Sequence, residues 1–322
     1  GTGGPDTLHA GNSLGVAVQS TIVVPSYIRP ALPADLPNVL VLDEEQRLTP
    51  EQAATVGFYV RPYYQAMGAE EFAGMAGLQV IQTLTAGVDD VRPHVPAGVT
   101  LCNAAGVHDA ATAELTVGLM IAAQRAFGVY WERQREQHWQ HDFNQGLADS
   151  RVLIVGAGHI GKAIVRRLLP FEVQIDRVAR TARTDELGPV RDMAALQTLL
   201  PQADIVVIIV PHSESTHHLV NSTFLGLMKD GALLVNTARG KVVDTDALLR
   251  ELNSGRLRAA LDVQDPEPLP AGHPLWSAQN LLITPHIGGD TAAFIPRAQR
   301  LVVRQVNAWL TGRPLDNVVA SR

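Results

Sequence analysis

Cysteine is nearly absent. Cys102 is the single thiol in 322 residues, which rules out an intrachain disulfide framework and a multi-cysteine metal site and points to a reducing cytoplasm. Long apolar runs are missing as well. The longest, around Leu115 to Ala123, is broken by Thr and Gly and falls far short of the roughly 20 residues a membrane span requires. An excess of positive charge is also missing. The 26 Lys+Arg face 32 Asp+Glu, a formal charge of −6, which disfavours a general binder of nucleic acid or of an anionic membrane. A local basic cluster can still hold one phosphate. What is present is ordinary globular composition: 46% apolar and 18% charged residues argue against a disordered chain, and the length suits two domains better than one.

Gly1 to Gly15 is glycine-rich and lacks a basic region followed by an apolar core, so it does not read as a secretory signal. Residues 1–20 read as a flexible leader. From Thr21 onward, short apolar runs alternate with helical segments. Strands are expected at Thr21 to Pro25, Asn38 to Leu42, Thr55 to Val60, Gln79 to Leu84 and Val99 to Asn103, with a short helix at Glu70 to Leu78. A long Ala-rich helix, His108 to Gln124, leaves this first layer, and Gly128 to Trp139 continues as a charged helical pattern. A second series follows, with strands at Arg151 to Val155, Val173 to Val178, Asp204 to Val210, Ala232 to Asn236, Ala259 to Val263 and Leu281 to Thr284. Its helices fit Ile160 to Leu169, Met193 to Leu200, Asn221 to Leu227 and Asp244 to Leu252, and a last long helix fits Ala292 to Leu310. This is the pattern of an α/β protein with parallel sheets.

The strand Arg151 to Val155 runs into Gly156-Ala-Gly158-His159-Ile160-Gly161 and then into a helix. A glycine-rich turn in that setting points to dinucleotide binding, the alternative being a plain glycine turn. Gly156 permits the tight turn, Gly158 lets the backbone approach a pyrophosphate, and Gly161 lets the helix pack on the strand. The helix N-terminus adds free N–H groups and a favourable field for the anion. The tip of the next strand discriminates NAD from NADP. An Asp or Glu there accepts from the ribose 2′-OH, but this strand ends in Ala179-Arg180-Thr-Ala-Arg183. Guanidinium groups bind a 2′-phosphate bidentately, so NADP(H) is favoured over NAD(H). The competing reading is that Arg180 and Arg183 form a solvated loop.

Three further segments follow strand ends: Asn236-Thr237-Ala238-Arg239-Gly240, Asp262-Val-Gln-Asp-Pro-Glu267-Pro268, and Thr284-Pro-His286-Ile-Gly288. The carboxyl ends of parallel strands are where ligands bind in open α/β sheets, so the three converge on the crevice of the glycine turn. Their residue types suit hydride transfer to a 2-oxo acid. Arg239 offers a bidentate cationic clamp, His286 a proton for the developing alkoxide, and Glu267 a carboxylate that orients the imidazole and favours its protonated form. Singly, each has an ordinary alternative: a sheet-edge cap, a Pro-flanked surface turn, a structural histidine. Jointly, downstream of a dinucleotide fingerprint, they read as a catalytic constellation.

These segments as a set resemble the D-isomer-specific 2-hydroxyacid dehydrogenase family, over nearly the whole chain from Thr21. The resemblance implies Arg239, Glu267 and His286 as the catalytic trio and Asp262 as the partner of the nicotinamide carboxamide. It implies that Thr85-Ala86-Gly87-Val88 presents backbone N–H groups, those of Ala86 and Gly87 above all, to the substrate carboxylate. It places His159, Ile160, Val210, Pro211, Thr237 and Ala238 around the cofactor, with Val210 and Pro211 beside the adenosine. It implies two Rossmann- or flavodoxin-like domains, the cofactor domain (106–287) inserted between the two parts of the substrate domain (21–105 and 288–322). It also implies a homodimer, for which Trp131 and Trp139 would suit a partner surface, although they could equally pack internally. The arginines after Ala179 resemble the NADP-using glyoxylate/hydroxypyruvate reductase branch. Glu267 stands where formate dehydrogenase relatives carry Gln, which argues against that activity.

The expected function is NADPH-dependent reduction of a small 2-oxo acid, glyoxylate or hydroxypyruvate first. The alternatives are an NAD-dependent D-2-hydroxyacid or phosphite dehydrogenase, and a nucleotide-sensing corepressor-like binding protein. No metal is expected: His212, His217 and His218 cluster without a Cys or acidic partner at ligand spacing. Cys102 lies in an apolar strand and reads as a small buried residue rather than a nucleophile. His108 and Asp109 precede the long helix, where Asp109 fits a cap.

Overall fold

The computed structural model describes residues 20–65, 68 and 70–319, so the stretch read as a leader lies outside it apart from Ser20. The described residues fall into two compact units, one running to His108 and resuming at Ala292, the other spanning Asp109–Thr291.

The first unit is built on β1 (Thr21–Val24), β2 (Val39–Val41), α1 (Pro50–Thr55), β3 (Val56–Val60), β4 (Val80–Gln82) and β5 (Thr100–Cys102). The five strands pair in the order β2-β1-β3-β4-β5, all parallel. Every residue of β3 is buried, which is why it reads as an unbroken apolar run rather than an alternating one. The helix expected at Glu70 to Leu78 does not form. The chain there makes successive turns, with Gly74 at φ +77°. Glycines at 74 and 77 each cost a helix about 1 kcal/mol relative to Ala, more than so short an apolar face recovers.

The second unit holds α2 (Asp109–Gln124), α3 (Phe127–Arg135), β6 (Arg151–Val155), α4 (His159–Leu168), β7 (Gln174–Val178), the strand pair β8 (Arg183–Asp185) and β9 (Gly188–Val190), α5 (Leu196–Leu199), β10 (Ile205–Ile208), α6 (Ser222–Leu227), β11 (Leu233–Asn236), α7 (Thr245–Asn253), β12 (Arg258–Leu261) and β13 (Leu281–Ile283). Six strands form a parallel sheet in the order β13-β12-β11-β10-β6-β7. One face is covered by Ala113, Val117 and Met120 of α2 with Ile164, Val165 and Leu168 of α4. The other is covered by residues of α5, α6 and α7, including Leu199, Phe224 and Leu248. With both faces covered, Ile205 to Ile208 is buried at all four positions. Asn221 and Asp244 cap α6 and α7, each accepting from backbone N–H groups of the first turn, as cap residues do. α8 (Phe294–Leu310) then returns to the first unit and packs Ala298, Leu301, Val302 and Val306 onto its sheet.

Two expected elements are shorter than the sequence suggests. The Met193 to Leu200 segment is one α-helical turn between two 3-10 turns. The charged helix ends at Arg135, and Gln137 takes φ +57°. Among the described residues no helix is long and apolar enough to cross a membrane.

Candidate active site

β6 ends at Val155 and Gly156 follows at φ +124°. A Cβ on Gly156 would lie 2.3 Å from the Ile209 carbonyl oxygen, and one on Gly161 would lie 2.2 Å from the Gly156 carbonyl oxygen. Any side chain at either position would force β6, β10 and α4 apart. Gly158 differs, because nothing lies within 4 Å of its Cβ position. Open space there, in front of the ten-residue α4, leaves first-turn N–H groups free to meet an anion. The turn therefore fits a dinucleotide pyrophosphate. His159 and Ile160 open the helix, and the largely exposed His159 ring lies 3.8 Å from the Asp109 carboxylate. Sheet order reverses between β6 and β10, so the glycine turn sits at the topological switch point. Val210 and Pro211 follow β10, where the Pro211 carbonyl accepts from Thr216 Oγ1 at 2.7 Å.

At the tip of β7 no carboxylate takes the ribose position. Asp176 is consumed by Arg151 across the strand pair at 2.7 Å. Asp185 accepts from both terminal nitrogens of the buried Arg177, at 2.7 and 3.1 Å, and that contact holds its carboxyl well below the ordinary carboxylate range. Arg180 is exposed. Arg183 opens the β8–β9 hairpin and donates through Nη2 to the carbonyl of Ala157 at 2.8 Å. One arginine is thus docked on the glycine turn itself. The hairpin escapes sequence reading because Arg183-Thr-Asp185 carries no apolar alternation. Its one signal is Glu186-Leu-Gly188, a turn before Pro189.

The other three strand ends belong to β11, β12 and β13, adjacent in the same sheet. Arg239 is half-buried after β11, with Nη1 donating to the Ala238 carbonyl at 2.7 Å. Thr237 is pinned by Thr116 Oγ1 of α2 at 2.8 Å. Glu267 Oε1 accepts from His286 Nδ1 at 2.5 Å. That hydrogen bond raises the His286 pKa above its ordinary value, opposed by partial burial and by the positive charge of Arg239. An imidazole so held exposes its second nitrogen and keeps its proton to higher pH, so the pair can deliver a proton to a bound oxygen. His286 itself stands at φ +54°, a conformation most non-glycine residues avoid.

Asp262 explains how that conformation is held. Its buried carboxylate accepts from Thr284 Oγ1 at 2.6 Å and from the amides of Ile287 and Gly288, both at 2.9 Å, while its carbonyl accepts from the His286 amide at 2.8 Å. This role in shaping the histidine loop is absent from the sequence reading, which singled out Asp262 for a cofactor contact. Gly240 is a second such feature: a Cβ there would lie 1.8 Å from the Gln264 carbonyl oxygen. Its hydrogen brings the Arg239 loop against the segment that carries Glu267. Gly240→Ala is expected to cost about 3 kcal/mol or more, as backbone overpacking does, read as a loss of denaturation midpoint; an unchanged midpoint would remove this close approach from the design of the site.

In the first unit, Ala86 and Gly87 lie in the connection between β4 and β5. The Thr85 carbonyl accepts from the Ala104 amide at 2.9 Å and from Thr83 Oγ1 at 3.0 Å, the Ala86 carbonyl from Asn103 Nδ2 at 2.9 Å, and the Gly87 carbonyl from Thr85 Oγ1 at 2.7 Å. The amides of Ala86 and Gly87 donate to none of the described residues. A loop with its carbonyls satisfied and its amides spare can receive an anion.

The remaining candidates fall outside this chemistry. His212 Nε2 and His217 Nδ1 are 3.3 Å apart and His217 stacks on His218, but no group of three or more metal-ligating side chains occurs among the described residues. Cys102 is buried, and burial pushes its thiol up to about 11, far from a nucleophile's range. Trp131 is 65% and Trp139 98% exposed, so neither packs inside the chain.

A glycine turn at the switch point of a parallel sheet, with Arg, Glu and His at neighbouring strand ends, defines a dinucleotide-dependent oxidoreductase. Residues 117–288 match the model of the D-isomer specific 2-hydroxyacid dehydrogenase NAD binding domain. The chain is 37% identical over 255 residues to a glyoxylate reductase of Thermofilum pendens, covering 76% of this chain and 75% of that one. It is 34% identical over 255 residues to the human glyoxylate reductase/hydroxypyruvate reductase, covering 76% and 78%. A D-isomer specific 2-hydroxyacid dehydrogenase of Xanthobacter autotrophicus, solved with NADPH and MES, superposes with a TM-score of 0.78 at 26% identity, covering 94% of this chain and 98% of that one. The chain belongs to the D-isomer-specific 2-hydroxyacid dehydrogenase family, NAD(P)-dependent oxidoreductases acting on CH–OH groups.

Proposed function

We propose that this protein reduces a small 2-oxo acid, glyoxylate or hydroxypyruvate first, with NADPH. The His286–Glu267 pair at 2.5 Å, beside Arg239 in the same unit, is the observation that carries the reading. Bound dihydronicotinamide supplies the hydride. His286 delivers a proton to the carbonyl oxygen as it becomes a hydroxyl, and Glu267 holds the protonated ring in place. In the second unit Arg239 is suited to carbonyl and carboxylate oxygens, and in the first the amides of Ala86 and Gly87 are suited to a carboxylate. Asp262 Oδ2 has one protein donor and keeps a lone pair for the carboxamide. Gly156, Gly158 and Gly161 seat the pyrophosphate, with His159, Ile160, Val210, Pro211, Thr237 and Ala238 lining the cofactor. In this reading the first unit is the substrate domain and the second the cofactor domain. The relatives named glyoxylate reductase support the choice of substrate. Turnover of glyoxylate, hydroxypyruvate, pyruvate and phenylpyruvate with both cofactors tests it; absence of turnover on every 2-oxo acid would overturn it.

The preference for NADPH rests on Arg183, docked on the Ala157 carbonyl, on Arg180 close by, and on Asp176 being engaged by Arg151. Arg183→Gln is expected to raise the KM for NADPH by roughly tenfold to a hundredfold, the loss of one charge-assisted hydrogen bond, while changing that for NADH by less than about threefold. Equal effects on both cofactors would show that Arg183 does not read the 2′-phosphate. The exposed Trp131 and Trp139 suit a partner surface, and a homodimer in a reducing cytoplasm completes the reading.

A further inference from the structure

His108 is 7% exposed and takes no part in the chemistry above. Its ring stacks on Phe294 at 5.2 Å and lies 5.4 Å from the Tyr63 ring. Nε2 lies 2.7 Å from the carbonyl oxygen of Leu84. That oxygen only accepts, so Nε2 carries the proton. Nδ1 is buried and has no partner among the described residues. A phenylalanine would fill such an aromatic slot without leaving a polar atom unpaired. What only the imidazole adds is the Nε2–H donor aimed at Leu84.

Leu84 opens the connection that carries Ala86 and Gly87. Peptide planarity ties each carbonyl to the amide that follows it. Thr85, Ala86 and Gly87 each have their carbonyl held by the donors given above, from Ala104, Thr83, Asn103 and Thr85. Leu84 is itself buried, and His108 supplies the donor for its carbonyl. Without it, a buried carbonyl is left unpaired, and rotation of the Leu84–Thr85 peptide relieves that at the expense of the loop. We propose that His108 is a positioning residue for substrate binding: its Nε2–H locks the first peptide of the 84–88 loop and so aims the amides that receive the substrate carboxylate. The inference rests on the assignment of that loop to the carboxylate.

Three variants of the full-length enzyme, each saturated with NADPH, separate the possibilities. His108→Leu removes the donor and keeps an apolar side chain. It is expected to raise the KM for glyoxylate and the Ki of oxamate, a carboxylate-bearing competitive analogue, by about tenfold or more, with kcat and NADPH affinity within about threefold of the parent. His108→Gln restores an N–H near the position of Nε2 and is expected to bring KM and Ki back to within about threefold. A merely structural loss would move kcat and NADPH binding as well and would not be rescued in this pattern. If the leucine variant does not fold, His108→Asn, whose amide stops short of Leu84, replaces it under the same thresholds. Parent-like KM and Ki in the folded donor-less variant overturns the role of His108. Ala86→Pro, which deletes one receiving amide, tests the underlying assignment separately. Parent-like KM there overturns the carboxylate reading of the loop, whereas a raised KM there with a parent-like His108→Leu overturns the inference alone.

Discussion

His286→Asn is expected to lower kcat for 2-oxo acid reduction by roughly a hundredfold to ten-thousandfold, the span covered by loss of a general acid. Asparagine is the fitting replacement because His286 stands at φ +54°, where Asn is among the few non-glycine residues at ease. The backbone bonds of the 286–288 loop to Asp262 therefore survive, and NADPH affinity, followed by fluorescence titration, is expected to stay within about threefold. A kcat near the parent value would take the proton-donor role away from His286. The pH dependence carries the sign of the same role. Glu267 raises the His286 pKa, so the donor form persists to higher pH. The rate of reduction holds at low pH and falls as pH rises through the raised value, while oxidation of the 2-hydroxy acid, which needs the neutral ring as base, rises over the same range. Glu267→Gln removes the largest cause of the shift and is expected to move both limbs to lower pH. Limbs that stay in place would detach the titration from this pair.

Arg239→Lys is expected to lower kcat/KM for the 2-oxo acid by roughly a hundredfold to ten-thousandfold, which is what two charge-assisted hydrogen bonds of about 1.5–3 kcal/mol each amount to. Lysine preserves the charge and loses the planar fork, so the measurement isolates geometry from electrostatics. Because Arg239 opposes the rise in the His286 pKa only through its charge, the lysine variant is expected to keep the parent pH limbs while its rate falls. Removing the charge with Arg239→Gln is expected to shift those limbs upward in addition. A lysine variant with parent kcat/KM would show that a point charge suffices and that no bidentate clamp operates.

The extent to which this protein could be read from its residues follows from how parallel sheets are made. Strands covered on both faces, such as Ile205 to Ile208, are apolar throughout, and their carboxyl ends all face one edge. A string of apolar residues therefore announces both a strand and the place where Gly156, Arg239, Glu267 or His286 will emerge. The short helix expected over Glu70 to Leu78 failed because local apolar spacing was outweighed by two glycines, one of them in the left-handed region. The β8–β9 hairpin was illegible because Arg183-Thr-Asp185 carries no apolar alternation and Asp185 is held by an ion pair with the buried Arg177. That hairpin is nevertheless what brings Arg183 onto the glycine turn.

Residue types and their order were enough to settle the fold class, the dinucleotide turn and the family, because each depends on local signals: backbone freedom at glycine, burial at strand interiors, chemistry at strand ends. They were silent on the contacts between segments remote in the chain. Asp262 shapes the loop that presents His286, more than twenty residues on, through three side-chain hydrogen bonds. Gly240 stands in the sequence only as the last residue of the Arg239 segment, and only the fold reveals that its missing Cβ admits the Gln264 carbonyl. His108 looks like the start of a helix until Leu84 is seen to face its Nε2. Such contacts carry no local signature, since the residue that gives each of them its meaning arrives through folding from a distant part of the chain.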